Sequence, residues 1–129
     1  MAKKILLVDD EAEVMDLTRA KLEDDGYDVV VSYTGREGVM QARPHLPDII
    51  LMDIVLPDMD GADAVKELHD HPATAGIPVL FLSGIITTEK ASGLAEITVG
   101  GRVYEAIGKP FTYSQLRQRV DHILALTNS

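Results

Sequence analysis

The chain has 129 residues, no cysteine and a formal net charge of −9. That length fits a single domain, read over residues 1–129; disulfides and thiolate metal centres are excluded, and the acidic balance speaks against direct nucleic-acid binding. Met1-Ala2-Lys3-Lys4 precedes too short an apolar run for a signal peptide, and no stretch approaches the ~20 apolar residues of a membrane span, so the expectation is a cytoplasmic protein that does not touch membrane.

The first strand is expected over residues 3–8, where Ile5-Leu6-Leu7-Val8 runs into Asp9-Asp10. Residues 11–25 follow with helical spacing, placing Val14, Leu17 and Leu22 on one face, and Gly26 stops the helix. Asp28–Ser32 reads as a second strand. Thr34 and Glu37 have the spacing of a capping box for a helix expected to end near Arg43, before Pro44. Residues 48–52 form the third strand, running into Asp53. A third helix is expected from Gly61 to about Asp70 with Ala62, Val65 and Leu68 inward, and the fourth strand over Ile77–Leu82, running into Ser83. His69 and His71 read as histidines favoured by the helix C-terminus, and His45 and His122 as surface positions.

Residues 85–103 are the least regular. A weak helix, Thr88 to about Ala95, is interrupted by Gly93, and Gly100-Gly101 precedes a short strand over Val103–Ile107 that leads to Lys109-Pro110. The last helix is well marked. Thr112 and Gln115 form a capping box, Phe111 and Leu116 staple the entry, and Leu116, Val120, Ile123 and Leu124 make the buried stripe.

Apolar runs of four or five residues bounded by turn formers suit strands buried on both faces. Their alternation with helices predicts a doubly wound α/β fold with a parallel sheet and right-handed crossovers. In such sheets function gathers beyond the carboxyl ends of the strands. Asp9, Asp10, Asp53, Ser83 and Lys109 all stand there, which is the donor set of a magnesium and phosphoryl site. Two carboxylates ~4 Å apart repel by about 4 kcal/mol at an effective dielectric of 20, so clustered acids favour a cation.

With Asp9-Asp10, Asp53 through Gly61, Ser83-Gly84 and Lys109-Pro110-Phe111 in this order, the chain resembles the receiver (phosphoacceptor) domain of two-component response regulators, stand-alone type. The resemblance implies a flavodoxin-like five-stranded parallel sheet, (βα)5, with strand order 2-1-3-4-5. It implies that Asp53 accepts a phosphoryl group from a phosphohistidine of a sensor histidine kinase or phosphotransfer protein. Asp9, Asp10, Asp53 and the backbone carbonyl of Val55 would hold Mg2+, Ser83 and Lys109 would contact phosphoryl oxygens, and Pro110 would follow a cis peptide. The domain would be a signalling module and no enzyme beyond its own phosphotransfer and dephosphorylation, changing its affinity for a downstream protein, with a homodimer through the helix 4–strand 5–helix 5 face as one possible outcome.

The chain departs from the family at the switch. The aromatic residue expected three before the lysine is Ala106, and Tyr104 lies two residues earlier on the same strand face, ~6.6 Å further back. Switching through Ser83, Tyr104 and Ala106 is therefore in question. The Ser83–Lys109 span is longer than the family's usual one, and Ile85-Ile86 puts apolar bulk after the serine. Val55 and Ile85, flanking the approach of a hydrolytic water, cannot orient one, so slow loss of the phosphoryl group is expected. The alternative function is a phosphate-independent protein-docking module of the same fold. An aspartate-nucleophile phosphatase of the haloacid dehalogenase type is disfavoured, because Val55 occupies the position of its acid/base aspartate.

Overall fold

A computed structural model describes residues 2–84 and 94–127. In chain order the elements are β1 (Lys4–Val8), α1 (Ala12–Asp24), β2 (Asp28–Ser32), α2 (Gly35–His45), β3 (Ile49–Asp53), α3 (Gly61–His69), β4 (Val79–Ser83), β5 (Leu94–Val99), β6 (Arg102–Gly108) and α4 (Tyr113–Thr127). They build one six-stranded sheet in the order β2-β1-β3-β4-β6-β5. All neighbours are parallel except β5 and β6, which pair antiparallel.

The expected parallel core is present, with β6 in the place of the fifth strand. The addition is β5. Of the helix expected from Thr88 to about Ala95, residues 88–93 lie outside the described residues, as do Ile85 and Ile86, and Leu94 and Ala95 belong to β5. The physical reason is the Gly100-Gly101 pair. Both glycines have positive φ, 57° and 80°, the signature of a type I′ turn, which closes two-residue hairpins because its twist matches that of the strands. Ala95, Ile97 and Val99 alternate with the exposed Glu96 and Thr98, the period of a strand. The face expected to carry a fourth helix thus presents a hairpin edge among the described residues.

Two apolar layers hold the sheet. On one side α2 and α3 cover Leu6, Val8, Ile50, Met52, Phe81, Tyr104 and Ala106. On the other, Met15 and Leu22 of α1 and Leu116, Val120, Ile123 and Leu124 of α4 cover Ile5, Leu7, Leu51, Leu80, Leu82 and Ile107. Each fully buried Leu, Ile or Val side chain stabilises the fold by roughly 1.5–3 kcal/mol relative to exposure, so either layer outweighs any single polar contact. The α4 stripe is the predicted one, and its capping box is reciprocal: the Thr112 N–H donates to Gln115 Oε1 at 2.9 Å and the Gln115 N–H to Thr112 Oγ1 at 3.1 Å.

Three helices differ from expectation in detail. In α1 the inward face is Met15, Thr18 and Leu22, while Val14 and Leu17 are 41% and 61% exposed. Val14 and Leu17 instead line an open groove with Phe111 and Tyr113. In α3 Ala64, not Ala62, is buried beside Val65 and Leu68. Helix α2 runs to His45 with Pro44 inside its last turn. There the missing proline N–H costs the ladder one bond, and Leu46 ends the helix in the left-handed region (φ 44°), its N–H on the Ala42 carbonyl at 2.9 Å.

Candidate functional site

Strands β2 and β3 flank β1, so the chain reverses direction at β1. The crevice at such a reversal is where open α/β sheets place their ligands. Asp9 leaves β1 there and Asp53 ends β3. Both are nearly buried, at 2% and 5% exposure, whereas Asp10 is open to solvent. One carboxylate oxygen from each of Asp9, Asp10 and Asp53 lies within 4.8 Å of the others.

Lys109 closes the cluster. Its Nζ donates to Asp9 Oδ2 at 2.7 Å, Asp53 Oδ2 at 3.0 Å and Glu11 Oε1 at 3.2 Å. Its position follows from β6. Ser83 pairs with Gly108 across the β4–β6 ladder, the Lys109 N–H donates to the Ser83 carbonyl at 2.7 Å, and the Lys109–Pro110 peptide is cis. Ser83 is buried at 1% exposure on the last position of β4, beside Asp53 on the neighbouring strand. The five residues predicted from 9 to 109 therefore share one rim of the sheet.

Backbone groups fix the carboxylates. The Glu11 N–H donates to Asp9 Oδ1 at 3.0 Å and the Val55 N–H to Asp53 Oδ1 at 3.2 Å. Past Val55, the loop pairs with itself through Asp60 and ties to α2. The exposed Asp58 carboxylate accepts the N–H groups of Gly35 at 2.8 Å and Arg36 at 2.9 Å, capping that helix from outside. These bonds hold the Asp58 carboxyl below its usual range.

Burial raises the pKa of Asp53, and the charge of Asp9 adds to the effect; hydrogen bonding to Lys109 and the Val55 N–H opposes it. Burial works against the Lys109 ammonium, but its bonds to Asp9 and Asp53 outweigh that and lift its pKa above the ordinary lysine value. One cation thus faces two buried anions, Asp9 and Asp53, and two exposed ones, Asp10 and Glu11. The charge is not balanced, and hard oxygen donors at this spacing suit a small divalent ion that keeps several waters.

Tyr104 and Ala106 face the α2/α3 layer, as their spacing predicts, and both are buried. Ala106 lies opposite Phe81 of β4. The Tyr104 ring meets Phe81 edge-on at 5.6 Å and stacks on the His69 ring at 5.4 Å, and its hydroxyl bonds the imidazole at 2.5–2.6 Å. His69, read from sequence as a helix-end histidine, therefore caps the tyrosine. Glu11 was also missed, though a third acid directly after Asp9-Asp10 was a usable signal. Nothing local signals the part Asp58 plays, because its partners Gly35 and Arg36 lie more than twenty positions away.

Fold and site together define a flavodoxin-like α/β protein with an acidic, lysine-closed pocket at its topological switch point. The family model for the response regulator receiver domain matches residues 5–121, and the chain belongs to this family of two-component signalling proteins. It is 34% identical to the alkaline phosphatase synthesis transcriptional regulatory protein PhoP of Bacillus subtilis, over 96% of this chain and 49% of PhoP. It is 35% identical to Protein PilH of Pseudomonas aeruginosa, over 95% of this chain and 98% of PilH. The chain spans about half the length of PhoP and the other transcriptional regulators it matches, and nearly all of PilH. A CheY-like receiver domain protein from Methanospirillum hungatei superposes with a TM-score of 0.81 at 26% identity, covering 99% of this chain and 98% of the other. Among the described residues no helix is long and apolar enough to cross a membrane.

Proposed function

We propose that the chain is a single receiver domain that takes a phosphoryl group on Asp53 from a histidine kinase or phosphotransfer protein and thereby changes its affinity for a protein partner. The observation that carries this reading is the joint hold of Lys109 on Asp9 and Asp53 beside Asp10.

Asp53 is the nucleophile. A carboxylate oxygen attacks phosphorus, the P–N bond of the donor phosphohistidine breaks, the imidazole keeps that electron pair and takes up a proton, and an acyl phosphate remains on Asp53. Asp9, Asp10, Asp53 and the Val55 carbonyl would hold Mg2+, which would supply charge neutralisation at the phosphoryl group. Lys109, already placed 3.0 Å from Asp53, follows the charge outward onto a phosphoryl oxygen as a compact point charge. The buried Ser83 hydroxyl stands at the rim to bond another. The Val55 N–H fixes the carboxylate plane, so that attack needs little reorganisation.

One observation favours the alternative, a phosphate-independent docking domain. Tyr104 is enclosed by His69 and Phe81, and Ala106 has no ring to turn toward Ser83. Intact-mass measurement after incubation with acetyl phosphate separates the two readings. The phosphorylation reading predicts a gain of about 80 Da, the mass of one phosphoryl group, that requires Mg2+ and vanishes in Asp53→Asn. No gain, or one that survives Asp53→Asn, favours docking without phosphate.

A further inference from the structure

Strand β5 is the terminal strand of the sheet, and among the described residues no strand lies beyond it. Natural edges are usually blunted by lysine, proline or a bulge. Here Leu94–Val99 contains neither lysine nor proline, and its six pairs with β6 run without a bulge.

The turn decides which backbone groups face outward. In a two-residue hairpin the residues flanking the turn, Val99 and Arg102, exchange both backbone bonds, and bonded pairs alternate from there. Ile97 and Ala95 then spend their N–H and C=O groups on β6. Glu96 and Thr98, both exposed, aim theirs at the free edge.

We propose that the occupant of this edge is a second copy of the chain, paired antiparallel through β5 about a two-fold axis centred on Ile97. A two-fold axis perpendicular to the sheet keeps each residue on its own face, so only registers centred on a residue are allowed. Centring on Glu96 sets two carboxylates directly opposite, which is destabilising. Centring on Thr98 shortens the overlap. Centring on Ile97 pairs five of the six strand residues: Ile97 meets its own copy, Ala95 meets Val99, and the Glu96 carboxylate meets the Thr98 hydroxyl. Ala95, Ile97 and Val99 already pack against the α2/α3 layer, and the pairing continues that layer across the axis. Glu96 and Thr98 of the two copies satisfy one another's outward backbone groups. The charge of −9 on each copy opposes association, so the dimer is weak and strengthens with salt.

Sedimentation velocity on the whole chain, over rising concentration and at two salt levels, is the test. Wild type shifts toward dimer with concentration and with salt. Thr98→Pro removes an outward N–H, at a position where an edge strand accepts proline, together with the hydroxyl that meets Glu96 of the other copy, and returns the protein to monomer with an unchanged melting temperature. Independently, Ile97→Cys places the only thiols of the assembly in a non-bonded cross-strand pair, with Cα atoms ~4.5 Å apart and within disulfide reach. It oxidises to a covalent dimer much faster than Asp63→Cys on exposed α3. A wild-type chain that stays monomeric throughout overturns the proposal, and capture of a strand-forming peptide by that monomer would assign the edge to another protein's segment. A dimer indifferent to Thr98→Pro, with Ile97→Cys no faster than the control, also overturns it by placing the contact elsewhere.

Discussion

Replacing Lys109 with methionine removes the ammonium and its charge and keeps most of the apolar stem of the side chain. In the wild-type site Nζ lies 2.7 Å from Asp9 Oδ2 and 3.0 Å from Asp53 Oδ2. At an effective dielectric of 20 each contact is an attraction of about 6 kcal/mol. Desolvation of three groups offsets most of that, so the pair attractions are not the net loss. What Lys109→Met leaves is two buried carboxylates without a counter-charge, a change that costs roughly 3–5 kcal/mol. The exposed Asp10 side of the pocket admits water, which places the loss at the low end, about 3 kcal/mol. For a domain of this size that lowers the melting temperature by about 9–15 °C in chelator. Millimolar Mg2+ supplies the missing charge and recovers more than half of the gap. Arg119→Met is the control, since its partner Glu105 is partly exposed and the loss is under about 1 kcal/mol. Thermal scans of the three proteins in chelator and in Mg2+ make the comparison. A Lys109→Met protein as stable as wild type in chelator, or one that Mg2+ leaves no closer to it, refutes the reasoning.

Other outcomes follow from the same contacts. Asp10→Asn removes one of three mutually repelling carboxylates, so it raises the chelated melting temperature by a few degrees and abolishes most of the Mg2+ shift, read in the same scans. Gly61 abuts the acceptor strand: a Cβ there would sit 2.1 Å from the Asp53 carbonyl oxygen. Gly61→Ala therefore costs at least ~1–3 kcal/mol by displacing backbone and slows acetyl phosphate labelling, whereas Gly76→Ala, which meets nothing within 4 Å, does neither. Burial and the bond to Asp121 raise the Tyr27 pKa to about 12. The folded state keeps that proton after the unfolded chain releases it, so the contribution is complete below pH ~10 and is lost as pH rises toward 12. Tyr27→Phe flattens that alkaline decline in denaturant titrations.

The strands and the site were legible because their signals are local. Val8-Asp9, Met52-Asp53 and Leu82-Ser83 each mark an apolar run meeting a polar residue, and a parallel sheet carries all three to the same rim. The α4 stripe was legible because four apolar residues repeat at helical spacing behind a capping box. Helix α1 misled because Val14 and Leu17 share a face with Leu22 within helical tolerance, and the groove with Phe111 and Tyr113 that they line is a tertiary fact. The stretch before Gly100 has weak helical spacing and equally good alternation over Ala95–Val99; the type I′ turn beyond it decided for strand. His69 against Tyr104, and Asp58 against Gly35 and Arg36, join residues more than twenty positions apart, which no local pattern encodes.

The central claim is that Asp53, and not its neighbours in the pocket, carries the phosphoryl group. Borohydride reduces an acyl phosphate to an alcohol, turning the modified aspartate into homoserine. After acetyl phosphate and Mg2+ treatment, peptide sequencing of the reduced protein is predicted to find homoserine at position 53 alone. Homoserine at position 9 or 10, or at no position, contradicts the account.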